Sequence, residues 1–240
     1  MKTAVVIGVG PLRGLGAVLC LTAARAGLHV VVAGRSGDKL DAVVKAIEAE
    51  GGAASAVVCD TTEEDQVVSL FEQAEAIAPI DLAIYNTGNN MPGDYLEMEA
   101  SYFDACYRVG LFGGFLFSRE ALRRMAPRGE GCLIFTGASA SMRGKPWFAA
   151  FTAAKGGLRN LSQSLAREFQ PRGIHVGHVV IDGGIYGEKI ETRVPDWYKE
   201  KGSEGLIDLH GIADAYLYMY QQPRNAWTHE LDLRTHVENF

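Results

Sequence analysis

The stretch that most constrains this chain is Gly8-Val9-Gly10-Pro11-Leu12-Arg13-Gly14-Leu15-Gly16. It follows a β-branched apolar run over residues 3–9 and opens a helical segment over residues 17–26. Glycines at such a place permit a tight strand-to-helix turn and let backbone come close to a ligand. The helix start behind them offers unpaired N–H groups and a partial positive charge to a pyrophosphate. A glycine-rich turn without a ligand is the bland alternative. A second βα unit in register weighs against it.

The alternation continues along the chain. Gly27 closes the first helix. Strands are predicted over 28–33, 54–59 and 82–85, with helices over 39–50 and 63–78 between them. Thr62 is placed to cap the second of those helices. Residues 101–125 read as one long helix, 132–136 as a strand, 148–169 as a second long helix and 174–181 as a strand. A loop over 183–205, a helix over 212–220 and a short strand over 230–233 complete the pattern. The order implies an α/β, Rossmann-type, doubly wound parallel sheet of about seven strands with helices on both faces. With 240 residues, no repeat and no linker, residues 1–240 read as one dinucleotide-binding domain.

Other classes are disfavoured. A net charge of −6 with no basic run speaks against nucleic acid as partner. No stretch approaches the roughly 18 apolar residues of a membrane span. Cys20, Cys59, Cys106 and Cys132 form no paired motif, which fits free thiols in a reducing cytoplasm. The six histidines have no metal-ligand spacing, so no metal is expected.

The loop Gly10-xxx-Gly14-x-Gly16 resembles the cofactor loop of the short-chain dehydrogenase/reductase superfamily, with Val9 where a threonine is usual. The likeness extends over essentially the whole chain. Asp60 resembles the family's adenine-contacting aspartate, and Tyr85-Asn86-Thr87-Gly88 at the end of the fourth strand is similar to the family's Asn-Asn-Ala-Gly, with Tyr85 at the first asparagine. The resemblance implies a nicotinamide cofactor held by Gly8, Gly10, Arg13, Gly14, Leu15, Gly16, Arg35, Asp60, Thr61, Asn86, Thr87, Gly88, Lys155 and Ile185. It also implies a homodimer or homotetramer built on the two long helices.

The cofactor is expected to be NADP(H) in preference to NAD(H). A carboxylate at the end of the second strand would bind the ribose 2′-hydroxyl and repel a 2′-phosphate. Gly34 stands there, followed by Arg35, and Arg13 lies within the glycine loop. Two guanidinium groups without an acid suit a phosphate dianion.

The resemblance breaks at the catalytic centre. The family places a tyrosine and a lysine four residues apart on one helix, with a serine and an asparagine nearby. Lys155 matches the lysine, but the tyrosine position is Phe151, which has no proton to give. The asparagine position is Gly110, and the serine position is Ala138 with Ser139 beside it. Lost acid–base help is worth about 10²–10⁴ in rate. Two readings follow. One is an NADP(H)-dependent oxidoreductase acting on a small carbonyl, alcohol or imine, its proton drawn from Tyr85, His178, Asp182, Tyr186 or Ser139, or needed not at all. The other is a silent NADP(H)-binding regulatory or interaction protein. The loop over 183–205, with Trp197 and Tyr198, resembles the family's mobile substrate loop and tilts the balance toward an enzyme.

Overall fold

The computed structural model describes residues 1–88 and 90–238. Seven strands run through them: β1 (Thr3–Ile7), β2 (His29–Gly34), β3 (Ala53–Val58), β4 (Ile80–Tyr85), β5 (Gly131–Thr136), β6 (Ile174–Ile181) and β7 (Glu230–Leu233). They form one sheet in the order β3-β2-β1-β4-β5-β6-β7, and every neighbouring pair is parallel. This is the doubly wound Rossmann-type arrangement. The central strands are mostly apolar because both faces are covered, with Thr3, Asp81, Thr136, His175 and His178 as buried polar exceptions. Ala4, Val6, Val30, Val32, Ile84 and Ile134 point to one core. Val5, Ile7, Val31, Ala33, Ala83 and Phe135 point to the other.

The first core is covered by α1 (Leu15–Arg25), α2 (Gly37–Ala49) and α9 (Leu209–Gln221). The second lies under α3 (Glu64–Ile77), α5 (Gly113–Met125) and α6 (Ala149–Phe169). Strand order reverses between β1 and β4, whose ends lie side by side at Ile7 and Tyr85. Open α/β sheets bind ligands outside the carboxyl ends of the strands at that switch point.

Four local expectations change. The segment read as one helix over 101–125 is three pieces: α4 (Ala100–Tyr107), a π-helical turn (Arg108–Phe112) and α5. The turn holds Gly110, and α5 opens on Gly113 and Gly114, so residues without side chains sit where the periodicity slips. Thr62 does not cap α3. Its hydroxyl and amide both donate to Asp60 Oδ1 at 2.9 Å, and Glu63 is the N-cap residue. The segment read as a loop over 183–205 contains two short helices, α7 (Glu188–Arg193) and α8 (Pro195–Lys201). Finally, α9 begins at Leu209 rather than 212, because Asp208 caps it through the Gly211 amide at 2.8 Å.

Candidate active site

The glycine loop is fastened to the end of β2. The amides of Gly8 and Val9 both donate to the Ala33 carbonyl, at 3.1 and 3.0 Å. Gly8 has a φ of +88°, and a Cβ there would lie 2.5 Å from the Asn86 carbonyl oxygen. A Cβ on Gly16 would lie 2.8 Å from Gly8 O. Gly10 is different, for a Cβ there would meet nothing within 4 Å. Backbone at Gly10 thus borders open space beside the start of α1, whose N-cap Gly14 supplies no side-chain cap. An anion fits such a place. The Leu15 side chain is buried in the core, so that residue offers a ligand its backbone only.

The missing carboxylate has a steric cause. A Cβ on Gly34 would come within 2.6 Å of the Val9 carbonyl oxygen, so the glycine loop excludes any side chain from that position. Arg35 beside it is exposed and has no ion pair or hydrogen bond among the described residues. Arg13 is engaged elsewhere: its Nη1 is 2.9 Å from Glu191 Oε2 on α7. These features fit a nicotinamide dinucleotide with a phosphate near Arg35.

Asn86 ties the loop to the sheet. Its Nδ2 donates to Gly8 O at 3.3 Å, and its Oδ1 accepts from Thr136 Oγ1 at 2.9 Å. Thr136 Oγ1 also meets the Tyr216 hydroxyl at 2.7 Å. Thr87 donates its hydroxyl to Val109 O at 3.0 Å. Two of the predicted contact residues also serve the fold. Asp60 uses Oδ1 in the turn with Thr62 described above. Thr61 is buried, and its Oγ1 lies 2.7 Å from where a Gly113 Cβ would be, so its side chain faces α5. Ile185 packs on the core and bridges to Ile207.

The site gathers around Lys155. Its Nζ donates to the carbonyls of Thr136 at 2.7 Å and Thr87 at 3.0 Å. Burial, with a smaller effect from Lys189, pulls its pKa down to about 7. An ammonium has three donors, so one N–H has no acceptor among these bonds. Phe151, one helical turn earlier, lies on the same face: a Cβ on Gly88 would sit 3.3 Å from Lys155 Nζ and 3.7 Å from Phe151 Cε2. Ser139 heads a short 3₁₀ turn (Ser139–Ser141), is half-buried and uses its carbonyl to hold the amides of Met142 and Arg143.

Three of the proposed proton sources are excluded by their surroundings. Tyr85 is buried, donates its hydroxyl to Val109 O at 2.5 Å, and is pushed up to about 12 by burial. His178 is buried beneath Gly137, with Nδ1 3.0 Å from Glu230 Oε2. Burial holds it down at about 4 despite that carboxylate, so it is neutral at neutral pH. Asp182 is buried and paired with Arg143 at 2.8 Å. Tyr186 stacks on Tyr198 with ring centroids 5.0 Å apart.

Gly110 is not merely an asparagine lost. A Cβ there would lie 2.6 Å from Ala154 Cβ, so the π-helical turn packs directly on α6. Sequence reading also missed Trp147, whose φ of 73° is the one positive value outside glycine among the described residues. A bulky residue in the loop before α6 carried no signal of that strain.

A family model described as short chain dehydrogenase matches residues 2–192. Gluconate 5-dehydrogenase of Gluconobacter oxydans is 31% identical over 199 residues, covering 82% of this chain and 72% of that protein. The crystal structure of a short-chain dehydrogenase from Rhodopseudomonas palustris is similar at a TM-score of 0.84 and 36% identity, covering 98% of this chain and 99% of that one. A metagenomic short-chain oxidoreductase solved in complex with NADP gives a TM-score of 0.82 and 25% identity, covering 98% of each.

Proposed function

The chain belongs to the short-chain dehydrogenase family, and from that premise we propose that it is an NADP(H)-dependent oxidoreductase acting on a small carbonyl, alcohol or imine at a site without a tyrosine. One observation carries the reading. Lys155, Phe151 and Gly88 meet just past the carboxyl end of β4, in a chain whose glycine loop leads into a helix without a side-chain cap and whose Arg35 is unpaired among the described residues.

Bound NADP(H) would supply or take the hydride. Backbone from Gly8 to Gly16 would hold its pyrophosphate, Arg35 its 2′-phosphate and Lys155 its nicotinamide ribose. Phe151 gives the substrate an apolar face and no proton. A carbonyl oxygen would therefore draw its proton from Ser139, Tyr186 or Lys155 itself. A lysine near 7 both holds and releases a proton at neutral pH. A substrate already cationic, such as an iminium, needs none of them.

Phe151→Tyr tests this reading. It should create or raise carbonyl reductase activity with NADPH, across a panel that includes a polyol or sugar acid because of the gluconate-dehydrogenase relative. No gain on any substrate would contradict the view that the missing hydroxyl limits ketone chemistry. The binding-only reading has one observation in its favour, the tight seating of Gly110 on Ala154, which leaves no place for an asparagine. Turnover of any panel member by the unaltered chain would remove it.

A further inference from the structure

Arg13 belongs to the glycine loop, yet its guanidinium is held from the substrate side. The pair with Glu191 is 2.9 Å long, with side chains 57% and 41% exposed. Backbone is joined at the same place. The Glu188 amide donates to the Arg13 carbonyl at 2.9 Å. A Cβ on Gly187 would come within 2.7 Å of that same oxygen. The other side of α7 is tethered separately, through Lys189 Nζ to Asn90 Oδ1 at 2.9 Å and Arg193 Nη1 to Met91 Sδ at 3.3 Å. The two arginines expected at the phosphate thus differ: Arg35 is unpaired, while Arg13 is already neutralised by a carboxylate.

We propose that Glu191 competes with the cofactor's 2′-phosphate for Arg13, so that a residue of the substrate loop tunes cofactor choice and the phosphate loosens α7 on the glycine loop. The proposal rests on the NADP(H) reading above. A phosphate dianion carries more charge and more acceptor oxygens than a carboxylate, and the planar fork of arginine takes it in bidentate fashion. Both partners of the present pair are exposed, so parting them costs little. Once Arg13 turns to the phosphate, Glu191 is left near a dianion that repels it. The helix then stays tied at Asn90 and Met91 and is held on the glycine-loop side only by the Glu188 amide on the Arg13 carbonyl, so it loosens there. A cofactor without the phosphate leaves the pair closed.

The experiment is calorimetric titration of the full chain with adenosine 2′,5′-bisphosphate and adenosine 5′-monophosphate, which differ only in the 2′-phosphate. Glu191→Gln should tighten the bisphosphate by roughly two- to five-fold, the range open to an exposed ion pair, and leave the monophosphate unchanged. The gain should vanish when Arg13→Ala is added. Hydrogen exchange over Glu188–Arg193 should quicken with the bisphosphate and not with the monophosphate. A Glu191→Gln protein that binds the bisphosphate no better, in a chain that still prefers it to the monophosphate, overturns the competition alone. Unchanged exchange overturns the loosening. Equal binding of the two nucleotides by the unaltered chain overturns the NADP(H) reading, and this proposal with it.

Discussion

Burial at Lys155 disfavours its charged form, and that has a measurable sign. Its pKa falls from 10.5 to about 7 on folding. Between those values the unfolded chain binds more protons than the folded one, so this residue makes stability rise with pH across that window. Urea unfolding from neutral to alkaline pH should therefore favour the unaltered chain progressively over Lys155→Met. A constant difference would contradict the buried-charge account. Trp147 carries a different cost. A side chain in the left-handed region costs about 1–2 kcal/mol, and this one is 60% exposed, so little packing offsets the strain. Trp147→Gly should raise the thermal midpoint, whereas Trp147→Ala, which keeps the strain, should not. That Phe151 stands where the resemblance to the family implies a tyrosine is legible in the sequence. The burial that removes Tyr85, His178 and Asp182 as proton sources is not. Their partners lie far away in sequence, as Glu230 does from His178.

At the scale of elements, the contact between the π-helical turn and α6 governs what the site can hold. Gly110→Asn would force its side chain against Ala154 and should destabilise the chain by about 1–3 kcal/mol, the usual cost of overpacking. Ala154→Gly opens that contact, so the double variant should recover part of the loss in chemical denaturation. Full stability in Gly110→Asn alone would show that the two helices part easily. The order and type of the strands and main helices were legible because apolar runs, glycine stops and periodicity agree. The break in the long helix was not. Gly110, Gly113 and Gly114 marked it, but a helix tolerates isolated glycines at modest cost, and only packing decides between tolerance and a slip. The segment over 183–205 likewise hid α7 and α8, which are too short for periodicity to declare.

At the scale of the whole molecule, the sheet order puts the ends of β1 and β4 side by side, and the glycine loop, Asn86 and Lys155 converge there. An outer groove between α5 and α6, lined by Phe115, Leu122, Leu161, Leu165 and Phe169, is the face on which a homodimer or homotetramer is proposed. Light scattering should give the mass of two or four chains, and Phe115→Glu should shift it toward one. A single-chain mass for the unaltered protein would contradict that assembly. The central claim is the proposed NADP(H) site, in which a glycine at the acid position and an Arg35 unpaired among the described residues would select the 2′-phosphate. It is tested most directly by titrating the chain with NADPH and NADH, following nicotinamide fluorescence, with Arg35→Ala alongside. NADPH should bind roughly tenfold or more tightly than NADH, as charge-assisted hydrogen bonds to a phosphate allow, and Arg35→Ala should erase most of that difference. Equal affinities, unchanged by the substitution, would contradict it.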